Sequence, residues 1–150
     1  MLINTILVAI DASDQKHAVL LHAAEITRCF SGKLHLVSVY DLSQVWEAKI
    51  PESVPDIFET LKEETKKLLE EEQQQLAALG IASQCHLLEG SVIEQIALLA
   101  ERLNADLLVM GHRYVSGLRR LIENSAAKGL VDRSPCSVMI VKEDDVDRGR

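Results

Sequence analysis

A chain of 150 residues, with 47% hydrophobic and 26% charged side chains, has the size and balance of a single globular domain. Its 16 basic and 23 acidic side chains leave a formal net charge of -7, which opposes nonspecific attachment to nucleic acid or anionic membranes, because both depend on neutralising phosphates. An aromatic content of 3% leaves little material for the stacking platforms that hold single-stranded nucleic acid.

In chain order, Met1 to Ile10 lacks a basic start and its apolar run breaks at Asp11. Neither a secretory signal nor a spanning helix is expected there, and the expected location is cytoplasmic. Within that stretch, Asn4 to Ile10 (NTILVAI) is short, apolar and rich in branched residues, the pattern of a strand buried on both faces. Lys16 to Phe30 repeats apolar residues at helical spacing, with Ala18, Leu21, Ala24 and Ile26 to Cys29 on the stripe, and Ser31-Gly32 stops it. Lys33 to Tyr40 (KLHLVSVY) is a second strand.

A polar stretch with Trp46, Pro51 and Pro55 follows, and its prolines forbid a regular helix. Trp46 reads as a lid or packing residue, with partner binding as the alternative. Ile57 to Leu79 is an amphipathic helix with Ile57, Leu61, Leu68, Leu69 and Leu76 on its apolar stripe and Glu70 to Glu72 away from it. Ala82 to Leu88 is a weaker strand, Ser91 to Leu103 a helix, and Ala105 to Met110 (ADLLVM) an apolar strand, broken only by Asp106, ending at Gly111. A loop from His112 to Asn124 leads to a short helix from Ser125 to Arg133 and a last strand, Ser137 to Lys142. Residues 1–142 form the expected domain, and 143–150 (EDDVDRGR) a charged tail.

Strands alternating with helices predict parallel crossovers and a three-layer α/β sandwich. Ligands in such sheets bind beyond the carboxyl ends of the strands, where the strand order reverses. Asp11 stands after the first strand, where a carboxylate can accept hydrogen bonds from a ribose or a base amino group; capping of the next helix by Asp11 or Ser13 stays open beside that role. Val39-Tyr40-Asp41 ends the second strand. The stretch from Gly111 to Arg120 carries three arginines and no acid, and Asn124-Ser125 starts a helix whose N–H groups suit an anion. A solvated turn balancing Glu123 and Asp132 is the competing account of those arginines.

Five segments resemble the universal stress protein family: LVAIDAS, LHLVSVY, the Gly90 to Ile96 helix start, ADLLVMGHR and SPCSVMIVK, across Ile6 to Val141. The resemblance implies an open, Rossmann-like parallel sheet of five strands in the order 3-2-1-4-5, commonly dimeric, in stress-response proteins. Nucleotide-binding members carry G-x2-G-x9-G-[ST] after the fourth strand. Here Gly111 and Ser125 keep the ends of that pattern, while Tyr114 and Asn124 replace its second and third glycines. Asn124 tolerates a left-handed backbone and serves as an N-cap, whereas Tyr114 puts a ring where the family has bare backbone.

The resemblance implies an ATP or AMP pocket built from Asp11, Ala12, Val39, Met110, Gly111, His112, Arg113, Gly117, Asn124, Ser125 and Ala126. Arg113 faces the phosphates in that arrangement, and Gly117 adds flexibility out of register. The alternative is a dimeric interaction module of the same fold without nucleotide. No Walker-type G-x4-G-K-[ST] occurs and Glu123 is the sole acid between Gly111 and Asn124, so hydrolysis is expected to be slow at most.

With that strand order the last strand is an edge, apolar on both faces, and a homodimer through Val138, Met139, Ile140 and Val141 is expected, unless the tail covers it. Cys29, Cys85 and Cys136 fit no disulfide framework or zinc spacing and are expected to be reduced and at least half-buried. His17 and His22 do not share a metal-binding face, and His35 and His86 are expected to be satisfied structural imidazoles.

Overall fold

The computed structural model describes residues 2–12, 16–41, 57–112 and 131–142. Five parallel strands, β1 (Thr5–Ala9), β2 (Lys33–Tyr40), β3 (Ser83–Glu89), β4 (Leu107–Gly111) and β5 (Ser137–Val141), form one sheet in the order β3-β2-β1-β4-β5. Helices α1 (Lys16–Phe30) and α2 (Ile57–Ala78) cover one face and α3 (Val92–Arg102) the other. The Rossmann-like arrangement expected from the sequence is therefore present.

Alternation along the strands divides the core. From β1 and the residue after it, Ile6, Val8 and Ile10 join Val19, Leu20, Ala23, Leu69 and Leu76 beneath α1 and α2. Leu7 and Ala9 point the other way, onto Ile96, Leu99 and Ala100 of α3 together with Leu108 and Met110 of β4. The enclosed Leu, Ile, Val and Met side chains contribute about 1.5–3 kcal/mol each. Burial on both faces explains why β1 and β4 read as continuous apolar runs instead of alternating ones.

The register is set at the amino ends as well. Asp106 Oδ2 accepts the N–H groups of Asn4 and Thr5, both at 2.9 Å, and the Asp106 N–H donates to the Thr5 carbonyl at 2.8 Å. The Lys33 N–H donates to the Asn4 carbonyl at 2.7 Å. Three neighbouring strands are thus pinned at their starts, and their ends are aligned as a result.

Three expectations need correction. The buried arc of α1 is Val19, Leu20, Ala23, Ala24 and Thr27, so Leu21 and Cys29, a third of a turn or more away, face solvent. The three cysteines are free, with Cys85 and Cys136 half-buried as expected and Cys29 exposed. On α2 the buried residues are Thr65, Leu69, Glu72 and Leu76, which step by four, three and four. Glu72 therefore falls on the core stripe, although its charge suggests a solvated face.

Candidate functional site

Parallel strands bring all their carboxyl ends to one rim. Ala9 of β1 is paired with Val37 of β2 and with Met110 of β4. Two residues further along each strand, the register carries Asp11 level with Val39 on one side and His112 on the other. β1 lies between β2 and β4, which leave it through crossovers in opposite directions, so this rim is the reversal point of the sheet.

The backbone before Asp11 is held from β2. The Ile10 N–H donates to the Val37 carbonyl at 3.0 Å, and Ser38 Oγ, itself buried, donates to the Ile10 carbonyl at 2.9 Å. Ser38 is a positioning residue that the sequence reading passed over; its one signal is a hydroxyl inside the apolar strand KLHLVSVY. Asp11 and Val39 are half-buried and Ala12 and His112 exposed, whereas Met110 and Gly111 are buried. Asp11, Ala12, Val39 and His112 thus border the rim, with Met110 and Gly111 forming its floor.

Tyr40 and Glu89 lie beside the rim on the β3 side. Tyr40 Oη donates to Glu89 Oε2 at 3.4 Å, and the Gly90 N–H donates to the Tyr40 carbonyl at 3.1 Å. Burial and then the negative charge of Glu89 push the Tyr40 phenol above its usual value, so it stays a neutral donor. Gly90 takes φ +132°, a conformation reserved for glycine, and opens α3 through the extended Ser91.

Arg113, Gly117, Asn124, Ser125 and Ala126, together with Tyr114 and Trp46, lie outside the described residues. The structure thus brings together the base and ribose side of the expected pocket, Asp11, Ala12 and Val39, with Met110 and Gly111 at the end of β4 and His112 just after it. A cavity of about 610 Å³ lies at the opposite pole, where Arg28, Lys33, His35 and Ser83 line the starts of β2 and β3. There Arg28 Nη2 donates to the Leu79 carbonyl at 2.6 Å and caps the end of α2. It does not touch the rim.

Among the described residues, no group of three or more histidine, cysteine, aspartate or glutamate side chains is placed to hold a metal ion, and no helix is long and apolar enough to cross a membrane. His35 and His86 satisfy each other, with Nδ1 of the first 3.0 Å from Nε2 of the second.

Residues 3–142 match the description of the universal stress protein family. The universal stress protein MJ0531 of Methanocaldococcus jannaschii is 30% identical over 142 residues, covering 95% of this chain and 84% of that protein. Among solved structures, the hypothetical protein MJ0577 superposes with a TM-score of 0.79 at 21% identity, over 97% of this chain and 99% of that one. A universal stress protein in complex with cAMP gives 0.66 at 23% identity, over 95% and 98% of the two chains. One from Archaeoglobus fulgidus in complex with dAMP gives 0.65 at 23% identity, over 95% and 100%.

Proposed function

The chain belongs to the universal stress protein family, a family of stress-response proteins, and on that premise we propose that it works by binding an adenine nucleotide, ATP or AMP, at the rim where β1, β2 and β4 end. The observation that carries this is the convergence of Asp11, Val39 and the Gly111-His112 turn at the reversal point of the sheet. Asp11 accepts from the ribose or base, the β2 end lines the adenine, and Gly111 lets backbone approach the phosphates. In this reading the phosphate side falls to Arg113, Gly117, Asn124, Ser125 and Ala126, which lie outside the described residues. The complexes of two fold relatives with cAMP and dAMP support an adenine nucleotide with a single phosphate as the common unit.

In this proposal the working unit is residues 1–142, followed by a charged tail, in the cytoplasm, and it pairs as a homodimer through β5. Exposure of Met139 and Ile140, each 37% in the single chain, supports the pairing. Bound nucleotide then biases the shape of the dimer or its partner contacts.

One substitution favours a second reading, a dimeric interaction module without nucleotide: Tyr114 stands at a glycine position of the phosphate loop. Mass spectrometry of ligand released after mild purification, with calorimetric titration of ATP and AMP into the apo protein, separates the two. Nucleotide binding weakened at least tenfold by Asp11→Ala and by Arg113→Ala is the expected result. No released nucleotide and no heat of binding, from a folded protein, overturns it. Recovery of binding in Tyr114→Gly then assigns the loss to the ring.

A further inference from the structure

His35 and His86 are 51 residues apart in sequence and meet only because β2 and β3 pair in register, Leu34 with Ser83 through Tyr40 with Glu89. Their rings are 5.2 Å apart between centroids, tilted by 31°, and Nδ1 of His35 is 3.0 Å from Nε2 of His86. His35 is 8% exposed and His86 half-buried. By the two-residue alternation of strands, both share the sheet face of Val37, Val39 and Leu88, which α3 covers.

A nitrogen pair at that distance holds one hydrogen: one ring donates and the other accepts. A single added proton still leaves a donor and an acceptor. With both rings protonated, two N–H groups point at each other and the contact breaks. Among the described residues, the surrounding charges offer no relief. Lys33 of β2 acts on His35 and Arg102 of α3 acts on His86, while the acidic residues of α3, Glu94 and Glu101, lie on its exposed surface. From α2, on the other face, Glu70 acts on Cys85.

The position of the pair gives it leverage. β3 is an edge strand, held by β2 alone within the sheet, and the imidazoles are its polar side-chain tie to that neighbour on the α3 face. We propose that the His35–His86 pair is an acid-sensitive latch, which fastens the β3 edge to the sheet near neutral pH and releases it when both rings carry a proton. The device lies away from the rim proposed for nucleotide, and it stands whether or not nucleotide binds.

Burial first, then cationic neighbours, depresses both rings below the ordinary 6.5. Stability from such a group is present above 6.5 and lost as the pH falls below it. At pH 5.5 an opened ring titrating at 6.5 favours its protonated form about tenfold. The opening equilibrium of β3 should therefore rise about tenfold for each ring that stays unprotonated while closed, and at least once, because the closed pair cannot take the second proton.

The test is native-state hydrogen exchange on the full chain at pH 7.5 and 5.5, corrected for intrinsic rates, comparing amides of β3 with those of β1 and β4. Protection in β3 falling at least about tenfold relative to β1 is the expected result. A relative change below about twofold overturns the latch. Ring-nitrogen NMR gives an independent readout: one ring donating and one accepting at pH 7.5 is required, and two independent titrations at or above 6.5 refute it. His86→Gln, which keeps a hydrogen-bonding group, should at least halve the logarithmic response; should that variant not fold, the wild-type measurements decide.

Discussion

Replacing Glu72 by leucine should make the protein more stable at neutral pH. Glu72 is 3% exposed, lies on the α2 stripe between Leu69 and Leu76, and its Oε2 has no hydrogen-bond partner among the described residues. A buried polar atom left unsatisfied costs about 1–3 kcal/mol. Leucine has similar volume and an equal or better helix propensity, so the exchange removes that cost without opening a cavity. For a chain of this length, each kcal/mol shifts Tm by about 2–4 °C, and the expected rise is about 2–12 °C.

The pH dependence supplies a sharper check. Burial pushes the Glu72 carboxyl above its ordinary 4.5, with Lys16 and His17 pulling partly against it. An acid whose folded value is raised adds stability below its unfolded value and loses it as the pH climbs through the folded one. The advantage of Glu72→Leu is therefore full at pH 7.5 and shrinks towards pH 4.5. Urea unfolding of both proteins at the two pH values measures it. A leucine variant less stable at pH 7.5, or a gain that grows on acidification, refutes the assignment of Glu72 as an uncompensated core carboxylate.

Asp106→Ala removes the acceptor for two backbone N–H groups at the start of β1 and should cost about 1–3 kcal/mol in urea unfolding. Gly90→Ala places a side chain at φ +132° and 3.2 Å from Gln95 Nε2, and should lower stability by about 1–3 kcal/mol by the same measurement. Ile140→Lys, at a position 37% exposed in the single chain, should change unfolding free energy by less than about 1 kcal/mol at a protein concentration where the wild type is monomeric. In light scattering at higher concentration it should shift a β5-mediated dimer to monomer; an unchanged dimer moves the interface elsewhere.

The central strands were legible because burial on both faces writes itself as an unbroken apolar run, as in Ile6 to Ile10 and Leu107 to Met110. From those runs the rim followed, and with it Asp11, Val39 and Gly111. Helix faces were less legible. Leu21 is apolar yet exposed, and Glu72 is charged yet enclosed, because the angle at which a helix settles on its sheet depends on packing that residue type does not encode. The histidine pair was invisible for a different reason: each imidazole is ordinary in its own strand, and only the β2–β3 register brings them together. Ser38 likewise reaches Ile10 across a gap in sequence, 28 residues.

The two neighbours of β1 arrive at different times during synthesis. Thr5 to Ala9 can align with Lys33 to Val37 soon after both have left the ribosome, but the opposite side must wait for Leu107 to Met110. At translation speeds of about 5–20 residues per second, the 69 intervening residues take about 3–14 seconds to make. Throughout that interval a nascent hairpin-less pair displays one hydrophobic flank to solvent or to a chaperone, and synonymous codon changes that slow elongation between Ser38 and Asp106 should raise its aggregation before completion.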